Sequence, residues 1–349
     1  MLGYVSWRHV VVVVKMQRAV SSFPLSSGVK LKLLSAGFRF AGDLQHVTPP
    51  KLSHEAGLSQ QEALEALQVV TGGGAAASLT AMELLQMEAE LRNIVTFSSK
   101  LDSALGGGVP VGKTTEICGT PGIGKTQLCL QLSVDVQVPP CFGGVGGHVI
   151  FVDTEGSFVL QRVIDIAAAA VRHCSLLAED DEQRGAMTTF TVETILSNIF
   201  LVRCHDYVEL LAELHLLPDF LSDHPRTRLL VIDSVARPFR GFDDLSQRTR
   251  LLQGLAQQLV ALATRHDLAV VITNQMTTRV RGSQSQLVPA LGESWGHAST
   301  IRLLLQWSGS QRLATVVKSP RHMDATVQYQ ISSDGFRDAD QSDERQAGV

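Results

Sequence analysis

Apolar residues follow two rhythms along this chain. From Leu31 to Val70 they fall in short helical patterns broken by turns at Gly37 and Gly57, which predicts a small helical bundle. Within it, "EAGLSQQEA" puts Gly57 in a tight turn and Ser59 where it caps the following helix, one half of a helix-hairpin-helix. Further along, the rhythm changes to compact runs with strand character: "TTEIC", "GHVIFVDTEG", "RLLVIDSV" and "LAVVITNQ". Helical segments alternate with these runs, the βαβ order of a mostly parallel twisted sheet covered on both faces. Two later runs, "STIRLLLQW" and "RLATVVKSP", are separated by "SGSQ" and predict an antiparallel hairpin that extends the sheet.

Small and polar stretches divide the chain. "TGGGAAAS", residues 71–78, has the composition of a flexible linker, and "LTAMELLQMEAEL" follows as a helix with Met82, Leu85 and Ala89 at helical spacing. That helix is either a cap over the next domain or an element that docks a partner. The expected organisation is an N-terminal extension over 1–30, a helical domain over 31–70, a linker and interface helix over 71–98, an α/β domain over 99–337 and a disordered polar tail over 338–349. "AEDDEQRGAM", residues 178–187, reads as an acidic solvated loop. Near the start, "RHVVVVVKMQ" holds five valines, against the about 20 apolar residues of a membrane span and the about 7 to 15 of a signal-peptide core, and is neither. A folded region starting near Met16 is the alternative reading of that run.

Composition narrows the class. A chain of 349 residues with 44% hydrophobic content can bury a sizeable core. Its formal charge of −4 leaves nucleic-acid binding to local basic patches. The five cysteines, an odd number without C-x-x-C spacing, argue for a reducing compartment, and the 11 histidines show no metal-ligand spacing, so no structural metal is expected.

The phosphate-loop pattern G-x-x-x-x-G-K-[ST] occurs twice, at Gly107–Thr114 and at Gly119–Thr126. The chemistry requires a strand that delivers the loop and a helix that begins at the Lys-Thr pair, so that backbone N–H groups converge on phosphates. The first match has the order reversed, with helix-like "TFSSKLDSALG" before it and the strand-like "TTEIC" after it. The second follows "TTEIC" and opens into "QLCLQLSVDVQ", a mostly buried helix. The second match is therefore the expected nucleotide site, built from Gly119, Thr120, Pro121, Gly122, Ile123, Gly124, Lys125, Thr126 and Gln127, and Lys113 is an ordinary surface lysine.

In open parallel sheets ligands sit at the carboxyl ends of the strands. Lys125 reaches the β- and γ-phosphates of ATP there, Thr126 ligates Mg²⁺, and Asp233, at the end of "LLVIDS", belongs to the metal shell through a water. Glu155 in "VDTEG" is placed to orient an attacking water, while Asp153 either takes part or holds the turn. Gln275 suits a sensor of the bound nucleotide, since an amide both donates and accepts. Two long stretches, "ARPFRGFDDLSQRTR" and "MTTRVRGSQSQLVPALGESWGHA", read as loops that carry Arg237, Arg240, Arg248, Arg250, Arg279 and Arg281, with Phe239, Phe242 and Trp295 nearby for stacking. Either these arginines meet a single-stranded backbone, or Asp243 and Asp244 neutralise a structural loop.

"GTPGIGKTQLC", "VDTEGSF", "LLVIDS", "ITNQ" and "HASTIRL", in this order, resemble the RecA/RadA-type strand-exchange recombinases over about Leu31 to Phe336. "CFGGVGG", "LLPDFLSDH" and "PALGESWGHA" look most like the C-type paralogues of the eukaryotic enzyme. The resemblance implies a RecA-like P-loop ATPase core plus a small N-terminal helical domain, and an ATP-dependent protein of homologous recombination and double-strand break repair with weak hydrolysis. It also implies partners: single-stranded and branched DNA, other recombinase paralogues in heteromeric complexes, the strand-exchange recombinase, and no membrane. Nucleotide would sit between neighbouring subunits, with Arg162 on the adenine. Three positions depart from the family. Ser78 stands where filament formers carry a Phe that plugs the neighbour, which argues against self-polymerisation; Lys318 in "VVKSP" stands where the strand-exchange enzyme has an acid, so that it and Pro320 would face a neighbour's γ-phosphate. Finally, "SDERQAGV" is not the basic import signal of those paralogues, so a nuclear location would depend on a partner or further sequence. A non-enzymatic adaptor that uses ATP and Mg²⁺ as subunit glue is the competing class; a small-molecule kinase fits poorly, because no arginine-rich lid is visible.

Overall fold

A computed structural model describes residues 19–23, 25–44, 47–71, 80–90, 92–240, 242, 244–281, 284–320 and 325–339. The chain divides into two compact units, Met1–Glu88 and Ala89–Val349.

In the first unit, helices α1 (Ser27–Ser35), α2 (Pro49–Ala56) and α3 (Gln60–Thr71) enclose a small core that includes Leu33, Leu44, Leu52 and Ala63. Gly57 ends α2 in the left-handed region at φ 62°, where a side chain would be strained. The Ser59 hydroxyl accepts from the Glu62 amide at 3.1 Å and the Glu62 carboxylate accepts from the Ser59 amide at 2.8 Å, a reciprocal capping box that starts α3. The unit begins earlier than the span 31–70 expects: Val20, Phe23 and Val29 are buried in the same core, so part of the expected extension is structural. Helix α4 (Ala81–Glu90) follows. The valine run, the linker glycines and Ser78 lie outside the described residues.

The second unit is built on a nine-stranded sheet. Its strands are β1 (Thr114–Gly119), β2 (His148–Asp153), β3 (Ile199–Arg203), β4 (Thr227–Asp233), β5 (Ala269–Asn274), β8 (Ile301–Ser308), β9 (Gln311–Lys318), β10 (Ala325–Ser332) and β11 (Gly335–Asp338), with β6 (Met276–Arg281) and β7 (Gln284–Pro289) forming a separate hairpin. The order across the sheet is β11-β10-β9-β8-β1-β5-β4-β2-β3. The six strands from β8 to β3 run parallel, and β8 to β11 form an antiparallel extension. Two apolar cores, one on each face, contain Phe151, Val231 and Val271 on one side and Ile150, Leu230 and Ile272 on the other. Alternate residues of buried strands supply both. Strand β1 is buried at every position. The helices of this unit include α5 (Ser99–Leu105), α6 (Lys125–Asp135), α7 (Leu160–Leu177), α8 (Asp181–Met187), α9 (Val192–Ser197), α10 (Tyr207–Asp223) and α11 (Leu245–Arg265).

The chain departs from the expected pattern in several places. Residues Asp181–Met187 are helix α8, because Asp180 and Gln183 form a capping box beneath the acidic composition. The stretch after Gln275 is the hairpin β6–β7, and the second half of the other long stretch enters α11, capped by Asp244, whose carboxylate accepts from the amides of Ser246 and Gln247. Asp338 belongs to β11 and caps α5, accepting from the Ser99 amide at 3.0 Å; residues 340–349 lie outside the described residues. No helix among the described residues is long and apolar enough to cross a membrane.

Candidate nucleotide and nucleic-acid site

The two pattern matches have different surroundings. In the first, Gly107 and Gly108 have φ of 111° and 114°, and a Cβ on Gly108 would run into the Ile94 carbonyl. These glycines let the chain pass close to Asn93–Ile94, with which Val109–Pro110 pairs. Lys113 is exposed and leads directly into β1. In the second, β1 ends at Gly119, the loop turns through Gly122 at φ 76° and Gly124 at φ 118°, and α6 starts at Lys125. A Cβ on Gly119 would approach the Leu305 carbonyl to 2.7 Å, and one on Gly124 would collide with Ile331. The Tyr329 hydroxyl donates to the Ile123 carbonyl at 2.8 Å and pins the loop from β10. With glycine at the cap, no side chain competes for the first N–H groups of α6.

Around this loop the strand ends converge. Lys125 Nζ donates to the carbonyls of Gly119 (2.9 Å) and Thr120 (3.1 Å). Burial lowers the Lys125 pKa, against the opposing pull of the Asp233 and Glu155 carboxylates. The Thr126 hydroxyl donates to Asp233 at 2.6 Å, Thr273 to the other Asp233 oxygen at 2.5 Å, and Ser157 to Asp233 at 3.2 Å. Burial raises the Asp233 pKa, and the Thr126 and Thr273 hydrogen bonds offset part of that rise. Hydroxyl and carboxylate oxygens side by side suit a hard cation such as Mg²⁺, so the donor set fits.

Asp153 is a turn holder. Its carboxylate accepts from the amides of Gly156 (2.8 Å), Ser157 (3.0 Å) and Phe158 (3.2 Å), which leaves Glu155 projecting from the bend. One Glu155 oxygen accepts from the Ser234 hydroxyl and from Gln275 Nε2, each at 2.5 Å, and Arg240 donates in turn to Gln275 Oε1. Glu155, Gln275 and Arg240 are thus joined in one chain across the ends of β2, β5 and the segment after β4. Ser234 and Thr154 also exchange hydrogen bonds, Ser234 N–H to the Thr154 hydroxyl at 2.8 Å and that hydroxyl to the Ser234 carbonyl at 2.7 Å. Sequence reasoning missed Ser234, Thr273 and Ser157; their place beside carboxylates at strand ends is the signal that could have found them.

The remaining expected residues are spread more widely. Arg162 donates to Gln127 at 2.7 Å and to the Ser332 and Ser333 carbonyls, so its guanidinium is engaged by its own chain. Lys318 pairs across from Arg302, whose parallel partner is Glu116, whereas the phosphate loop begins level with Leu305. It lies toward the other end of the strands, with Nζ on the Gly296, His297 and Ser299 carbonyls, and shares a surface cavity of about 460 Å³ with Pro320. Arg237, Arg240 and Arg279 are exposed, on segments that leave the adjacent strands β4 and β5. Arg281 ends β6. Arg248 and Arg250 sit on helix α11, not on a loop, since Asp244 caps it ahead of them; Arg248 is half-buried and Arg250 exposed. Two of the expected stacking rings are not available: Phe239 is 1% exposed and Trp295 4%, both in the core, where large aromatic area is best hidden. Phe242 is half-buried against Tyr207.

Comparison with known proteins gives one consistent family. A family model, Rad51, matches residues 87–180 and 182–339. The DNA repair protein RAD51 homolog 3 of Cricetulus griseus is 54% identical over 340 residues, 93% of this chain and 93% of that protein. The protein of the same name from Dictyostelium discoideum is 45% identical over 253 residues, 70% of this chain and 65% of that one. The DNA repair and recombination protein RadA of Metallosphaera sedula is 32% identical over 316 residues, 89% and 92% of the two chains.

Proposed function

The chain belongs to the Rad51 family, among whose members its relatives are DNA repair and recombination proteins, and on that premise we propose that it is an ATP-dependent, single-stranded-DNA-binding recombinase paralogue with weak, DNA-stimulated hydrolysis. The observation that carries this reading is the convergence of Lys125, Thr126, Asp233, Glu155 and Gln275 on one phosphate loop, with Arg240 hydrogen-bonded to the last of them.

In this reading the backbone N–H groups of residues 119–126 other than Pro121, together with Lys125, bind the β- and γ-phosphates of ATP. Thr126, and Asp233 through a water, would hold Mg²⁺, which when bound would neutralise phosphate charge. Glu155 orients the attacking water, held ready by Ser234, and Gln275 reports nucleotide state to the arginine segments. Arg237, Arg240, Arg279 and Arg281 meet a DNA backbone, with Arg248 and Arg250 as further candidates on α11. Arg162 serves the adenine once released from the Ser332 and Ser333 carbonyls, and Lys318 and Pro320 face a neighbouring subunit's nucleotide. Partners are other recombinase paralogues, the strand-exchange recombinase and branched as well as single-stranded DNA, in the nucleus. The Ser78 argument against self-polymerisation concerns a residue outside the described ones and stays an argument from sequence.

The test is Glu155→Gln, which keeps shape and removes the charge. ATP binding should persist while turnover falls by at least the ~10² typical of a positioned acid or base. A wild-type complex with no turnover above background would transfer the reading to the adaptor that uses ATP and Mg²⁺ as glue.

A further inference from the structure

The most deeply buried charge beside the site has no part in the mechanism above. Glu116, in the middle of β1, is 0% exposed, three positions before the glycine that starts the phosphate loop. A carboxylate there is strongly destabilising unless both oxygens are satisfied. Arg302 of β8 supplies the countercharge, with Nε at 2.8 Å and Nη2 at 2.7 Å from one oxygen. The Ser299 hydroxyl approaches that oxygen at 3.4 Å. The other oxygen accepts from Asn274 Nδ2 at 2.7 Å and from the Trp295 indole N–H at 3.0 Å.

A buried ion pair needs only Arg302 for its charge, so the source of the other donors is what matters. Asn274 is the last residue before Gln275 and the hairpin β6–β7; Trp295 and Ser299 come just after it. The Asn274 amide also donates to the Ala290 carbonyl at 2.9 Å, and the Ala290 N–H donates to the Gln275 carbonyl at 2.7 Å, closing the root of the excursion. One carboxylate on the phosphate-loop strand therefore ties down the outgoing and the returning chain.

We propose that Glu116 is a positioning residue: it anchors both ends of the hairpin that carries Arg279 and Arg281 to the strand that carries the phosphate loop, and through Asn274 it sets Gln275 against Glu155. The functional weight of this anchor rests on the reading above, in which the hairpin meets DNA and Gln275 meets nucleotide.

The experiment is hydrogen exchange of the full chain without nucleotide, comparing wild type with Glu116→Gln, Trp295→Phe and, as a control for general core damage, Val231→Ala. Trp295→Phe keeps an aromatic ring and deletes a single donor, so it remains informative should Glu116→Gln fold poorly. Loss of a hydrogen bond to a charged group should speed exchange of the amides in 276–289 by about ten- to a hundredfold, with β4 amides unchanged. Val231→Ala should show no such preference for the hairpin. Uniform acceleration across the sheet in Trp295→Phe, or a hairpin that exchanges as in wild type, overturns the proposal. In the same preparation DNA stimulation of ATP turnover should fall at least threefold in Trp295→Phe. Absence of turnover in wild type would sink the enzymatic reading instead, and the exchange result would still decide the anchor.

Discussion

Replacing Lys125 or Lys113 by alanine separates two identical sequence patterns. Lys125 Nζ makes two hydrogen bonds to the Gly119 and Thr120 carbonyls, at 2.9 and 3.1 Å, which it would give up to reach a phosphate. Burial also works against its charge, and an anionic ligand relieves that penalty. Hydrogen bonds to charged groups contribute about 1.5–3 kcal/mol, and pairs with both partners charged are stronger. Truncating one partner of a partly buried, hydrogen-bonded charge pair costs about 2–5 kcal/mol, or roughly 30- to 4000-fold in affinity. Lys113 is exposed and followed by a strand, so no helix N-terminus stands behind it. Its replacement should change affinity by less than about threefold. Titration of each variant with ATP and Mg²⁺, followed by calorimetry, measures both numbers. Equal losses would refute the assignment of the loop, whatever the wild-type affinity.

Two further outcomes follow from the same geometry. Alanine at Arg237, Arg240, Arg279 or Arg281 should weaken single-stranded DNA binding similarly across sequences and make the salt slope shallower by about 0.7 for every phosphate no longer neutralised; unchanged slopes with poorer complex recovery would assign these residues to partners. Burial pushes the Asp102 carboxyl up from 3.8 to about 6, with the Thr96 hydrogen bonds opposing. A raised folded value means that the proton stabilises the fold, fully below about 4 and no longer above about 6. Urea midpoints of wild type and Asp102→Asn, which mimics the protonated form, should therefore shift in the variant's favour as pH rises through that window; a gap independent of pH would contradict it.

Much of the architecture is legible in the sequence because it depends on local order. The choice between the twin patterns needs only a strand before one of them and a helix after it, and β1 and α6 supply both. The β8–β9 hairpin follows from two apolar runs and a short turn. Elsewhere composition hides local signals: Asp180 and Gln183 cap a helix within an acidic stretch, and β6–β7 alternates polar with apolar residues without a long apolar run. Edge strand β3 and the last strands β10 and β11 leave weak patterns because they are half-exposed. The fates of Trp295, Phe239 and Glu116 lie beyond a one-dimensional reading. Glu116 finds its partners 158 to 186 residues along the chain, a distance over which spacing carries no signal.

In the proposed function one phosphate loop turns over ATP under the control of DNA bound to segments leaving the neighbouring strands. Single-turnover hydrolysis of radiolabelled ATP by the purified protein with its partners, with and without single-stranded DNA, addresses it directly. Slow hydrolysis that accelerates on adding DNA and disappears in Lys125→Ala is the expected result. Hydrolysis that is indifferent to DNA, or that survives Lys125→Ala, would contradict it.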